Sequence, residues 1–428
     1  MTPIRIARIL SPHIHYAWIV LGVTFLASLT AVGVRSAPGV MIVPLQRAFG
    51  WDAATISGAI AVNILLLGVL GPFITALMET FGLKRTLLLC MAMLVAATGL
   101  SVFMTESWQL YATWGIMVGI GASAGAIGLA TAIANRWFVT HRGLAMGLLT
   151  AANAAGQLIF LPIMAALSDA YGWQAIAVVV AVTITAMLPV VWLLLPESPG
   201  EIGIGPYGGE TERAIAPSSG NPFMVALQGG ARAVRSLDFW LLTIVFGICG
   251  FSTNGLVGTH LVAYCIDNGL TEVFAASFLA TLGIFNLFGS TLSGWLTDKM
   301  NPRVLMFWLF TLRGLSLFIL PLTNFDIVSL SIFTVFYGLN WIAIVPPMFS
   351  VINEVFGKRA APVVISWVFA GHQVGGAIAA YGAGAMRDMT GSYLLAFMIS
   401  GATCLIAAIL AMRVRHGPLH QAAPLQAA

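Results

Sequence analysis

The residue most capable of chemistry in this sequence is an arginine inside an apolar run. Arg35 follows Thr24, Ser28 and Ala31 and precedes Gly39 on a stripe of small and polar residues at helical spacing. An arginine in the hydrocarbon region costs at least about 2.5–3.5 kcal/mol and usually faces a cavity or a partner. Arg35 is therefore expected either to line a binding site or to hold backbone carbonyls at the outer end of its helix. Arg313, midway along another apolar run, meets the same argument and is divided between support and site. All fifteen Asp and Glu residues fall in loops, linkers or helix ends, so neither arginine has an obvious internal counter-ion. Uncompensated positive charge attracts an anion, and the guanidinium fork suits a carboxylate held by two parallel hydrogen bonds.

Two histidines can carry a proton near neutral pH. His372 lies mid-run at the repeat position of Asn153, with Gln157 a turn away, and His260 lies nearer an outer end; a hydrogen-bonded structural role is the alternative for each. Asn254, Tyr337 and Asn340 are the polar residues ranked highest for a cavity wall, ahead of Asn63, Asn153, Gln157 and Asn286. Each of these also suits an interhelical bond, typically worth about 0.6 kcal/mol. No metal cluster, nucleophile constellation or phosphate loop occurs, so neither a cofactor nor an enzymatic activity is expected.

Composition dictates the elements that position these groups. The chain is 59% hydrophobic and 8% charged, against about 25% charged in soluble domains. Its apolar runs are about 20 residues long, enough for a helix to cross roughly 30 Å of hydrocarbon. Twelve are expected, over 16–44, 53–78, 86–104, 108–134, 143–167, 174–195, 238–265, 273–297, 304–322, 327–352, 362–386 and 392–412. The Gly-, Pro-, Ser- and Glu-rich stretch 196–237 divides the all-α membrane protein into bundles 1–195 and 238–412, with a tail over 413–428. The N-terminal segment is read as retained rather than as a cleaved signal.

Lys and Arg cluster on one side of this threading, with only Arg47 and Arg387 opposite, which places both termini and the linker in the cytoplasm. The net charge of +4 reflects that bias and no nucleic-acid partner. Cys90, Cys249, Cys265 and Cys404 all lie within expected helices and are read as apolar packing residues.

The chain also repeats itself at an offset of about 219 residues: Glu79 falls on Asp298, Asp169 on Asp388, Gly172 on Gly391 and Gly50 on Gly269. The stripe of the first helix falls on Thr243, Gly247, Gly250, Asn254 and Gly258, so helices one and seven are expected to show the same face inward. Parallel six-helix halves are a transporter arrangement, with the site at their interface.

The stretches Gly33-Val-Arg-Ser-Ala-Pro-Gly-Val40, Phe49-Gly-Trp-Asp52, Asn135-Arg-Trp-Phe-Val-Thr-His-Arg-Gly143, Gly371-His-Gln-Val-Gly-Gly376 and Asp388-Met-Thr-Gly-Ser-Tyr393 resemble the monocarboxylate-porter and oxalate/formate-antiporter branch of the major facilitator superfamily. The resemblance runs from the first helix to the twelfth. It implies a major facilitator fold of 12 transmembrane helices in two six-helix pseudo-repeats, acting as a monomer in the inner membrane. The implied cargo is a small carboxylate moved with a proton or against a counter-anion; an exporter of larger amphipathic compounds is the alternative.

The superfamily's loop signature Gly-x-x-x-Asp-Arg-x-Gly-Arg-Arg is degenerate from Thr75 to Lys84 and more faithful from Gly294 to Lys299. It implies gate roles for Glu79, Lys84, Arg85, Asp298, Lys299 and Arg142. Where animal-type porters carry an Asp and an Arg on helix eight, this chain has Asn286 and Ser290, so that proton relay does not carry over. Arg35 lies close to the position of those porters' basic residue on helix one.

Overall fold

A computed structural model describes residues 14–125, 127–209 and 221–417. Among the described residues the chain is helical, apart from one isolated bridge between Phe138 and Tyr207. Ten helices are long and apolar enough to cross a membrane. Numbered with the two remaining expected spans, they are α1 (Tyr16–Phe49), α2 (Ala53–Thr80), α3 (Leu83–Ser101), α4 (Ser107–Leu110 continued in pieces to Ile127–Trp137), α5 (Arg142–Tyr171) and α6 (Gln174–Leu194), then α7 (Leu237–Asp267), α8 (Glu272–Thr297), α9 (Pro302–Ile319), α10 (Ile327–Gly357), α11 (Ala360–Thr390) and α12 (Leu394–Ala411). Large apolar side chains such as Leu89, Trp192, Trp308 and Phe336 stand exposed, as lipid-facing residues should.

The loops repeat because their backbones demand glycine. Gly50 and Gly269 have φ of +70° and +88°, and Gly172 and Gly391 have +84° and +74°. Side chains with a Cβ rarely adopt that region. Asp52 and Thr271 follow each of the first pair as N-caps, accepting from Thr55 N at 2.7 Å and Phe274 N at 3.3 Å.

The packing carries the repeat further. Shifting α2 by 219 residues gives α8, and shifting α5 gives α11. In the fold α2 packs along α11, and α5 along α8. One helix pair is thus used twice with its members exchanged, and α1 meets the outer part of α7 between them.

Three helices depart from regularity. Tyr111–Met117 of α4 and Phe251–Val257 of α7 are π-helical, a form that frees carbonyls and often marks functional segments. Asn63 donates to Trp114 O at 2.7 Å, and Tyr337 to Ser252 O at 2.7 Å. α10 loses its helix at Trp341 and regains it at Val345. The connection between α10 and α11 is short: the backbone leaves the helix at Gly357, with φ of +76°, within the stretch where the sequence suggests a connection, and α11 begins at Ala360.

The expected linker is partly structured. Asn221 caps a short linker helix, Pro222–Ala233, by accepting from Phe223 N at 3.0 Å. Its Gly229 and Gly230 press on Val363 and Trp367 of α11, while Phe223 stacks near Phe73 of α2. The Asn-Pro step followed by an apolar run was the sequence signal for it. Tyr207, upstream, sits edge-on to His15 and Trp18 and tilted against Phe138.

Candidate functional site

Arg35 occupies the middle of α1, deeply enclosed by protein yet with an exposed side chain. Those two conditions together describe a residue lining an internal opening. Among the described residues it has no hydrogen bond and no ion pair. Gly33 and Gly156, on either side of the α1–α5 contact, lie against Phe160 and Val32, and this close seam fixes the rotation of α1 that aims Arg35.

The α7 stripe behaves otherwise. Gly247 and Gly250 face Gly371 and His372 of α11, where a Cβ on Gly250 would lie 1.8 Å from the His372 carbonyl oxygen, and Thr243 meets Gly371. That part of the stripe is a seam between α7 and α11, not an inward face. Only Gly258, at its outer end, faces α1. Backbone-to-backbone approach is the reason: a helix pair this close admits no side chain between them.

Asn254 points along the same seam and donates to Gln373 Oε1 at 3.1 Å, and the same oxygen pairs with His372 Nδ1 at 3.0 Å. Gln373 is itself packed on Gly68 of α2. Sequence reasoning quoted Gln373 within its motif but did not single it out; its place beside His372 was the available signal.

Arg313 is fully buried. Its guanidinium donates to Cys249 Sγ at 3.0 Å, Ser252 Oγ at 3.3 Å, Asn340 Oδ1 at 3.3 Å, Trp341 O at 2.8 Å and also Asn340 O. These carbonyls are freed where α10 breaks, so the cation satisfies a helix end that nothing else reaches. Tyr337 and Asn340 belong to this buried cluster, Asn340 also donating to Leu309 O. Among the described residues no hydrogen bond joins Arg313, Tyr337 or Asn340 to Arg35. Cys249 is more than a packing residue, because Arg313 Nη1 donates to its sulfur.

His260 is buried, with Nε2 donating to Ala380 O at 2.7 Å and Nδ1 facing the Tyr393 hydroxyl at 3.3 Å. Both ring nitrogens are thereby occupied.

The loop residues divide by face. On the side of the termini, Lys84 N is capped by the Glu197 carboxylate at 3.1 Å and 3.2 Å. Arg85 is exposed, Asp298 ends α8, and Lys299 lies over the Trp295 ring at 4.4 Å. The side chains of Glu79, Arg142 and Asn153 lie outside the described residues. Arg303, which sequence reasoning passed over, is buried there and pairs with Glu354 at 2.9 Å while donating to Val414 O at 3.0 Å.

On the opposite face the two lone basic residues are paired. Arg47 of α1 reaches Glu272 of α8, and Arg387 forks onto Asp267 at 3.1 Å and 3.2 Å. Asp388 of α11 caps the start of α2, accepting from Ala53 N at 3.1 Å and Ala54 N at 2.6 Å. The helices of the two expected halves are closed against each other at this face.

Comparison with known proteins agrees with this architecture. Residues 24–380 match the sequence profile of the Major Facilitator Superfamily. The chain is 28% identical to the uncharacterized MFS-type transporter YcxA of Bacillus subtilis, over 88% of this chain and 90% of that one. It is also 28% identical to monocarboxylate transporter 13 of Rattus norvegicus, over 90% and 86%. Its fold is similar to that of a bacterial homolog of the human lysosomal transporter Spinster, inward-facing and occupied, with a TM-score of 0.73 at 16% identity over 94% and 97% of the two chains. A POT family transporter in complex with 5-aminolevulinic acid gives 0.71 at 14% identity over 92% and 95%.

Proposed function

This chain belongs to the Major Facilitator Superfamily, and from that premise we propose that it moves a small carboxylate across the inner membrane by proton-coupled symport. Bundles 1–195 and 238–412 would rock about their interface, with both termini in the cytoplasm and one copy sufficing for transport.

The observation that carries this reading is Arg35: a guanidinium within the membrane-spanning bundle, open to water and without a counter-ion among the described residues. A carboxylate completes it with two charge-assisted bonds. Monocarboxylate transporters recur among the relatives, which supports the same class. Carrying one anion inward against an inside-negative potential costs about 2.3 kcal/mol per 100 mV, and a co-moving proton cancels that charge.

The test is uptake by purified protein in liposomes of labelled mono- and dicarboxylates, with and without an inward proton gradient, for the parent and Arg35→Gln. One acid taken up by the parent, stimulated by the gradient and lost in Arg35→Gln, is the expected result. Uptake driven only by acid preloaded inside the liposome replaces symport with exchange. Equal uptake by Arg35→Gln removes the anion site.

A further inference from the structure

We propose that the linker helix Pro222–Ala233 lies in the membrane–water interface and binds anionic phospholipid through Arg232 and Arg235, clamping α2 to α11 at the face of the termini when that lipid is present. This site is independent of the solute the chain carries.

The helix lies alongside the spans and not beyond their ends. Phe223 stacks near Phe73, centroids 6.1 Å apart, and Phe73 stands two turns short of the end of α2 at Thr80, about 10 Å at 1.5 Å per residue. On the other side, a Cβ built on Gly229 or Gly230 would lie 2.5 Å from Val363 Cγ1 or Trp367 Nε1, in the first two turns of α11. Such a depth is the level of the headgroups and the upper acyl chains.

Three sectors run round the helix. Phe223, Gly230 and Ala233 turn toward the protein, the last two buried. Next to them Met224, Leu227 and Ala231, at three- and four-residue spacing, form an exposed apolar strip. Gln228 and Arg232, also four residues apart, form an exposed polar strip beyond it. A helix with one apolar and one basic exposed sector is built to lie flat where lipid meets water.

The apolar strip is continuous with a surface that faces lipid. After the helix Val234 is exposed, and Leu237, Trp240 and Ile244 then carry the exposed apolar face up α7. Trp240 Nε1 donates back to Val234 O at 2.8 Å, so an amphipathic ring of the interfacial kind ties the linker to the start of that span. The bilayer that covers α7 therefore covers the strip. Arg232 and Arg235 are exposed beside it, and among the described residues neither has an ion pair. Lipid phosphates at this level complete them.

One helix touches members of both expected halves. Parting α2 from α11 at this face requires it to leave one of them, and a helix pinned to the interface by lipid resists that movement.

The test uses the full chain in lipid nanodiscs and needs no transported solute. A bimane label is placed at Leu227→Cys or Gln228→Cys, with the labelled parent as background because its four cysteines are buried. Lipid spin-labelled high on the acyl chain is expected to quench the label at 227, and aqueous iodide the label at 228. Iodide quenching at 227, or quenching there by neither agent, overturns the interfacial placement. In phosphatidylcholine discs with rising phosphatidylglycerol, the thermal midpoint of the parent should rise, and less so at high salt. Arg232→Gln/Arg235→Gln should need at least about fivefold more phosphatidylglycerol for the same rise, roughly the factor one arginine supplies. Equal rises in the two proteins overturn the headgroup site, and so does an equal rise caused by inorganic phosphate in phosphatidylcholine discs. Spin labels on α2 and α11 at this face should report a larger close population with phosphatidylglycerol in the parent than in the double variant; distances that ignore the lipid overturn the clamp.

Discussion

Gly39 of α1 and Gly258 of α7 stand 219 residues apart and touch: a Cβ built on Gly39 would lie 2.7 Å from the Gly258 carbonyl oxygen. Equivalent positions of the two repeats meet only on or beside the axis that relates them. The contact therefore marks that axis at the face opposite the termini.

Enlarging Gly39 should hold that face open. Gly39→Val places a branched side chain against backbone, which has no rotamer by which to yield. We expect the variant to fold, with a thermal midpoint close to the parent's, and to show a cysteine introduced beside Gly258 reacting faster with a water-soluble maleimide. Transport should fall by roughly tenfold or more, the scale of about 1.4 kcal/mol spent on one side of the cycle. Unchanged labelling would mean that the two helices separate without cost.

Asp388 should act as a latch at the same face. Its carboxylate accepts from two backbone N–H groups of the opposite repeat, with the positive end of α2 behind them. Asp388→Asn keeps the size and loses the charge, so the closed state should weaken by about 1–2 kcal/mol. Distances between spin labels on α2 and α11 would report a larger open population. Arg47→Gln, whose own side chain is exposed although its partner Glu272 is buried, should change the distribution by less.

Arg313 should matter for stability before it matters for transport. Removing it leaves the carbonyls of Asn340 and Trp341 buried and unpaired. Arg313→Met is expected to cost on the order of 3–5 kcal/mol, the range for stripping one partner from a buried charged network. Arg313→Lys, with a single ammonium in place of a fork, should recover only part of it. Thermal unfolding in detergent gives the comparison.

Outside the membrane-spanning segments, burial holds the His15 imidazole below its ordinary value of 6.5, against a smaller opposing bond to the Gly205 backbone. A depressed histidine favours the folded state above its unfolded value and loses that contribution as pH falls below it. His15 Nδ1 also accepts from Ala17 N at 3.3 Å as the cap of α1, a role the charged ring cannot fill. Stability of the parent should therefore decline as pH drops from neutral through the sixes. His15→Asn, a cap that does not titrate, should flatten the decline, and an identical slope in both proteins would remove His15 from the account.

Much of the architecture was legible because it is written in composition and in backbone demands. Apolar runs of spanning length, glycines at +70° to +88° in matched loops and basic residues gathered on one side need no tertiary information. The break at Trp341 was not legible, since an unbroken apolar run fits a straight helix equally well. The linker helix was missed although Asn221-Pro222 announced it, because the Gly and Ser content around it dominated the reading.

The sequence by itself determined that the chain spans a membrane, that it is a repeat, and that Arg35 and Arg313 are charges within apolar runs without carboxylates in their own helices. Only the tertiary structure separated the two arginines. Arg35 and Arg313 have the same cost in an apolar run, and what distinguishes them is whether neighbouring helices leave unpaired carbonyls or open space. For Arg313 the break in α10 supplies the carbonyls; for Arg35 the α1–α5 seam turns the side chain toward an opening. The same holds for Asn254, His372 and Gln373, whose meeting depends on the rotation of α7 against α11. That rotation is set by glycines in van der Waals contact across the seam, and no spacing along one chain encodes which face another helix will bring to it.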